Sequence, residues 1–310
     1  MPVANVFGFS EEVENALRNA RPVVALESTV IAHGLPRPQN IETAQRLEQI
    51  VREAGATPAT VAVIGGKICV GLGADQLAHV ADSPSVHKLS TRDLPVAVAR
   101  GWDGATTVAS TTYIAARAGI SVFATGGIGG VHRGALPDVS ADLPELARTS
   151  LSVVACSGAK SVLDLPATRE WLETNGVTVV GYGCDELPAF YTRSSGLPVD
   201  ARCDTPDEVC ALVVARRELG MEGALLVTVP VPVEDEVARD VVEAALARAL
   251  EEAERNGVGG HALTPFLLRR MAEQSSGATL RANLALLESN ARVAARIAVA
   301  LCDQKEGKRA

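Results

Sequence analysis

The sequence predicts a three-layer α/β/α sandwich around a largely parallel, mixed central sheet. Two observations carry that prediction. Six short Val/Ala/Ile-rich runs are apolar at nearly every position rather than at every second one, the pattern of strands covered on both faces. Amphipathic stretches of helical period separate them, and strands that alternate with helices build parallel sheets.

The strand candidates, in order, are PVVALE (22–27), TVAVIG (60–65), ISVFATG (120–126), LSVVACS (151–157), VTVVGYG (177–183) and ALLVTVP (224–230). The helix candidates between them are IETAQRLEQIVREAG, ATTVASTTYIAARAG, ATREWLETNG and TPDEVCALVVARRELG. Asn40 and Thr205 are read as N-caps, because a short polar side chain accepts from the free amides of the first turn. Gly55, Gly119, Gly176 and Gly220 stand where helices end in left-handed backbone. From about Val233 to Asp303 the pattern is mostly helical, with breaks at Thr264–Pro265 and Gly277 and a frayed tail over about 304–310. No repeat or linker interrupts the chain, so residues 1–310 are read as one domain.

Composition narrows the function. Aromatic residues make up only 3% of the chain, so the core is aliphatic and base-stacking platforms for single-stranded nucleic acid are not expected. A net charge of −8 argues against a polyanion-binding surface, yet suits a small phosphorylated ligand in one local pocket. The six cysteines are scattered without a CxxC pair, which reads as reduced thiols in a cytoplasmic protein rather than a zinc cluster. The N-terminus lacks the basic and apolar regions of a signal peptide, and no apolar run reaches membrane-spanning length. A small-molecule substrate, no nucleic acid and no membrane are the expected partners.

In open parallel sheets, ligands bind beyond the carboxyl ends of the strands. Polar groups concentrate there: Glu27 after VVAL, GGIGGVHRGALPDVSAD after SVFAT, Lys160 after SVVACSGA, and VPVED after LLVTVP. Each feature has two readings. The glycines of GGIGGVHRG expose amides to an anion, or they make a tight packed turn. Asp138, Ser140 and Asp142 suit a hard divalent cation and its waters, or they cap the helix ADLPELART. Glu27, poorly solvated, would serve as acid or base, or would form a structural ion pair. His33, His87, His132 and His261 have no metal-ligand spacing, and Lys67 and Lys88 read by default as surface lysines. Lys160 follows small residues, Ser157, Gly158 and Ala159, which leave room for a substrate. A desolvated lysine is a neutral amine that attacks carbonyls; the alternative is a lysine that snorkels to the surface.

Taken together, ALESTVIAHGLPRPQN, GATPATVAVIGGKICVGL, KLSTRDL, GATTVASTTYIAARAGISVFATGGIGGVHRGA, DVSADLPELA, CSGAKSVLDL and GATLRANLALLESNA resemble the pseudouridine-5'-phosphate glycosidases, or pseudouridylate synthases. The blocks run from about residue 22 to 300 in family order. The resemblance implies that Glu27 is the proton donor and Lys160 the nucleophile. It implies that Asp138 ligates one divalent metal per subunit, Mn²⁺ or another such ion. Ser140, Ala141 and Asp142 match a substrate-binding segment, and Lys88 and Val108 match two further substrate contacts. His132 and Asn283 lie in motifs near the family's site. An α/β/α fold, a homotrimer and a lyase that opens ribose and holds it as a lysine imine are implied with them. The segment between HRG and Asp138, GALPD, is short compared with some relatives.

Overall fold

The computed structural model describes residues 6–134, 138–260 and 263–307, with side chains to residue 304. The elements in chain order are β1 (Phe7–Phe9), α1 (Glu11–Arg18), β2 (Val23–Leu26), a π turn (Val30–Gly34), α2 (Gln39–Glu53), β3 (Thr57–Ile64), β4 (Lys67–Val70), α3 (Ala74–Asp82), β5 (His87–Leu89), α4 (Leu94–Arg100), β6 (Gly104–Thr106) and α5 (Val108–Arg117). Next come β7 (Val122–Ala124), β8 (Val131–His132), α6 (Asp142–Arg148), β9 (Val153–Cys156), β10 (Leu163–Asp164), α7 (Leu165–Thr174), β11 (Val179–Tyr182), β12 (Ala201–Cys203), α8 (Pro206–Glu218), β13 (Leu225–Thr228), α9 (Arg239–Arg255), α10 (Leu263–Gln274) and α11 (Ala278–Gly307).

All six predicted strands form. Their spatial order is β3-β2-β7-β9-β13-β11, with β12 at the edge, and every neighbouring pair in that run is parallel. β2, β7, β9 and β13 are buried at every residue, which explains their unbroken apolar sequence. α11 packs on β2, β7 and β9 between α2 and α8, while α5, backed by α6, packs on β2 and β7. This gives the expected α/β/α class.

The second half of β3 makes the sheet mixed. Beyond Thr60 the strand leaves β2 and pairs antiparallel with β4 and β6. The Val61 carbonyl at this junction accepts from the hydroxyls of Ser28 (2.6 Å) and Thr106 (2.8 Å), so no backbone acceptor is stranded.

The register sets the floor of the site. Thr60, Leu26, Ala124, Ala155 and Val227 stand side by side across five strands. The residues one step later on the three central strands, Glu27, Thr125 and Cys156, therefore emerge together at the carboxyl edge.

Several local expectations change. Thr205 caps α8 as expected, and the four helix-ending glycines all have positive φ. Asn40 is not a cap. It lies inside α2, buried, and its Nδ2 donates to the Ile31 and Ala81 carbonyls at 3.0 Å each. ATTVASTTYIAARAG divides into β6 and α5, with the Thr107 hydroxyl at the helix start. Gly277 does separate α10 from α11, but Thr264–Pro265 open α10 rather than break a helix, as suits proline in a first turn. Of the expected frayed tail, the stretch through Gly307 is helical, and residues 308–310 lie outside the described residues.

Candidate active site

Beyond the carboxyl edge lies a cavity of about 440 Å³, within the range of small-molecule sites. Glu27, Lys88, Val108, His132, Asp138, Ser140, Ala141, Asp142, Lys160 and Asn283 all line it. Each predicted site residue therefore reaches one space, from segments far apart in sequence.

Glu27 ends β2 and is 8% exposed. Burial pushes its carboxyl above the ordinary range. Lys160 opposes that rise most strongly, followed by a hydrogen bond from the Thr125 hydroxyl. Burial thus favours the protonated form of Glu27 relative to an exposed glutamate.

Lys160 is held by its backbone. The loops after β7 and β9 are laced together: Ser157 N donates to Gly126 O (2.9 Å), Ile128 N to Gly158 O (3.0 Å) and Lys160 N to Ile128 O (3.1 Å). Gly158 has φ +78°, and a Cβ there would stand 2.2 Å from the Pro188 carbonyl oxygen. No other residue type fits that turn. The side chain is half-buried and faces the cavity, so the lysine is neither sealed in the core nor splayed on the surface.

Lys88, on β5, is half-buried in the same cavity. Burial lowers its pKa, and the charge of Lys160 lowers it further. Two lysine side chains that face one space make a pocket for an anion. Val108 opens α5 at the cavity, and Ser90, Thr91, Arg92 and Thr107 complete that wall.

Of the two readings of the glycine loop, Gly129 fits the tight packed turn. Gly129 N donates to Asp142 Oδ2 at 2.7 Å, so this amide holds a protein carboxylate, not a ligand anion. Ala109 N donates to Asp142 Oδ1 at 2.9 Å. A Cβ on Gly129 would meet Ser140 Oγ at 2.2 Å, which explains the glycine. Asp142 is buried and committed to these amides, while the Ser140 hydroxyl accepts from Asp142 N at 3.2 Å. Asp138 is exposed, and its carbonyl accepts from His132 N at 2.8 Å. His132 is fixed by the β8–β10 pairing opposite Leu163.

Among the described residues, no group of three or more His, Cys, Asp and Glu could hold a metal ion. Asp138, an exposed carboxylate at the cavity, fits a hard divalent ion that keeps most of its waters and takes further oxygens from substrate. It does not fit an ion enclosed by protein ligands.

Two sequence expectations shift. VPVED does not line the cavity; Val231 O accepts from Arg193 and Val237 N donates to Tyr191 O, so this segment backs the loop after β11. Of the histidines, His33 and His132 line the cavity, His87 stacks on Trp102 away from it, and His261 lies outside the described residues, as do Ala135, Leu136 and Pro137 of GALPD. Lys67 is exposed, as its default reading held.

Phe190 escaped the sequence reading. It lines the cavity with φ +65°, its ring occupies the place a Gly127 side chain would need, and its N–H donates to Ser157 O at 3.1 Å. It lies beyond the end of β11, so the strand-end rule would have found it. Thr264, Pro265 and Leu268 of α10 add an apolar flank.

Residues 12–300 match the family described as indigoidine synthase A like protein. The pseudouridine-5'-phosphate glycosidase of Herpetosiphon aurantiacus is 56% identical over 94% of this chain and 96% of its own. That of Caldanaerobacter subterraneus subsp. tengcongensis is 53% identical over 94% and 95%. The crystal structure of the prealnumycin C-glycosynthase AlnA in complex with ribulose 5-phosphate is 41% identical, with a TM-score of 0.89 over 97% of this chain and 99% of that one. An indigoidine synthase A-like protein from Thermotoga maritima is 40% identical, with a TM-score of 0.86 over 96% and 97%. The chain belongs to the indigoidine synthase A-like family, the family of the pseudouridine-5'-phosphate glycosidases.

Proposed function

We propose that this protein reversibly cleaves the C–C glycosidic bond of pseudouridine 5'-phosphate, giving uracil and ribose 5-phosphate. The observation that carries the reading is the convergence of Glu27 and Lys160, from separate strand ends, on a cavity that also holds Lys88 and Asp138. The similarity to curated glycosidases, and to a C-glycosynthase in complex with a five-carbon sugar phosphate, supports it.

The leaving atom is uracil C5, so protonating a leaving nitrogen does not help. The electron sink must form at the sugar. Glu27 gives its proton to the ring oxygen as the C1'–O4' bond breaks, and the uracil π system shares the positive charge left at C1'. The Lys160 amine adds to C1', and the proton it then sheds returns to the Glu27 carboxylate. Glu27 next protonates uracil C5. The C1'–C5 bond breaks, its electron pair restores the C5–C6 double bond, and the lysine nitrogen forms an imine with C1'. Water adds to that imine and releases ribose 5-phosphate, and the lysine's surplus proton recharges Glu27. The sum consumes one water.

Lys88 binds the 5'-phosphate beside the Val108 amide, while Ser140, Ala141, Asp142, His132 and Asn283 shape the ribose and base subsites. Asp138 would hold a divalent ion, Mn²⁺ or Mg²⁺, which when bound orients substrate oxygens and waters as a Lewis acid. The same reading makes residues 1–310 one catalytic domain, assembled as a homotrimer, working in the cytoplasm. The six free cysteines fit a reducing compartment, and among the described residues no helix is long and apolar enough to cross a membrane.

The test combines turnover with trapping. Protein with ribose 5-phosphate, uracil and Mn²⁺ should yield pseudouridine 5'-phosphate by mass spectrometry, and borohydride should leave a reduced adduct on Lys160. An adduct without product points to the second reading, which the C-glycosynthase neighbour favours: a C-glycosidase acting on another phosphorylated C-nucleoside. Neither signal from folded, metal-loaded protein would leave a sugar-phosphate-binding protein without catalysis.

A further inference from the structure

Two buried polar residues behind the cavity wall link the acid to the nucleophile. Thr125 succeeds β7 and is 2% exposed; Asn290 lies on α11 and is fully buried. The Thr125 hydroxyl donates to Glu27 Oε1. Its N–H donates to Ala155 O at 3.0 Å, and its carbonyl accepts from Asn290 Nδ2 at 2.8 Å. Asn290 Nδ2 also donates to Gly126 O at 3.2 Å, and its Oδ1 accepts from Ser157 Oγ at 3.2 Å.

Every polar group of the Asn290 amide is thus spent on two loops. One is the β7 end, which carries Thr125. The other is the β9 end, which runs through Ser157 to Lys160. Thr125 does not line the cavity, although the next residue does. An amide from the helical layer reaches through to the strand tips, and nothing about core packing requires a polar group there.

We propose that Thr125, gripped by Asn290, is a positioning residue that aims the Glu27 carboxyl into the cavity and fixes its spacing from Lys160. The inference rests on the roles given above to Glu27 and Lys160. The hydroxyl also favours the charged form of Glu27, so removing it has a readout in pH that packing alone lacks.

The experiment compares Thr125→Val with Thr125→Ser in the full-length protein. Valine keeps the shape and removes the donor; serine keeps the donor and removes a methyl. Thr125→Val should lower kcat about 10- to 100-fold with KM within about threefold, as expected when an acid is misaimed and substrate binding is spared. The alkaline limb of its kcat profile should move to higher pH, because Glu27 holds its proton longer. Thr125→Ser should keep kcat within about threefold of the parent and the parental limb. Asn290→Ala should also slow kcat, and Asn290→Ala combined with Thr125→Val should lose less than the product of the two single losses, since the variants share their effect on Glu27.

Wild-type kcat and an unmoved limb in Thr125→Val overturn the proposal. So does a Thr125→Ser variant as slow as Thr125→Val, which would make the residue a packing element. If Asn290→Ala fails to fold, the Thr125 pair still decides. Borohydride trapping on the parent separates the two levels. An adduct on Lys160 together with a normal Thr125→Val removes only this inference, whereas no adduct together with an active Lys160→Ala removes the reading beneath it.

Discussion

Glu27, at the carboxyl edge of the sheet, and Glu48, on α2 and bonded to Thr60 of β3, are two glutamates with nearly the same local chemistry. They are 8% and 9% exposed. Each accepts from a threonine hydroxyl, Thr125 for Glu27 and Thr60 for Glu48, and burial pushes both carboxyls above their ordinary range. Thr60 is even the register partner of Leu26, the residue before Glu27. What differs is the other side of each carboxyl. Glu27 meets Lys160 and Lys88 across an open cavity, whereas Glu48 is covered by Arg52, which Glu12 also holds. A raised pKa therefore reports burial. A reactive site needs, in addition, space for a substrate and a partner group free to react.

That contrast breaks most sharply at Lys160. Lys160→Ala should keep the fold and lose about 1,000-fold or more in kcat, since Lys88, the other amine in the cavity, is given to the phosphate and does not replace it as the covalent partner. Near-parental turnover would make the cavity a binding pocket and Glu27 no different in kind from Glu48.

Next is Glu27→Gln, expected to lose about 100- to 1,000-fold in kcat. It should also change stability in the opposite sense. The folded pKa lies above the ordinary value of 4.5, so the folded state holds an extra proton between the two. The stability tied to that proton is complete below the unfolded value and is lost as pH rises through the folded one. Glu27→Gln lacks that loss and should melt higher than the parent at alkaline pH. A variant that is inactive because it melts lower would return Glu27 to a structural role.

The groups that bind rather than react should matter less. Asp138→Asn should raise the Mn²⁺ concentration needed for half-activation by about 10- to 100-fold, with chelation abolishing turnover and Mn²⁺ restoring it. Activity indifferent to a strong chelator would remove the ion from the site. Lys88→Met removes a charge-assisted bond to phosphate of about 1.5–3 kcal/mol, so KM should rise about 10- to 100-fold while kcat changes little. An unaltered KM would place the phosphate elsewhere.

Much of this is legible in the sequence because chemistry and topology point the same way. Unbroken apolar runs mark the central strands, and the residues just beyond three of those runs are Glu27, the glycine loop and the segment that carries Lys160. The strands β1, β4, β5, β6 and β12 are not legible, since they lack the longer unbroken apolar runs that mark the central strands. Side-chain commitments are hidden as well. Asp138 and Asp142 look equivalent in PDVSADL, yet one is exposed and the other is bound to the amides of Ala109 and Gly129. Thr125 and Asn290 sit 165 positions apart, and only the fold shows that one holds the other.

Glu48→Gln carries the smallest expected effect and is the control for the comparison. The variant keeps the shape and the oxygen that accepts from Thr60 at 2.7 Å. It loses a buried charge that Thr60 and Arg52 only partly compensate, and Arg52 retains Glu12 through contacts of 3.0 and 2.9 Å. Because the folded pKa of Glu48 is raised, the sign of linkage matches that at Glu27: the parent loses stability as pH rises through it, and the variant does not. The melting temperature should move by a few degrees at most, at about 2–4 °C per kcal/mol for a chain of this size, in paired melts at acid and alkaline pH. Turnover should stay within about twofold. A loss like that of Glu27→Gln would mean that the two carboxyls titrate as a single coupled site. Unchanged turnover beside an inactive Glu27→Gln would leave the open cavity, and not burial, as what makes one of two similar glutamates an acid catalyst.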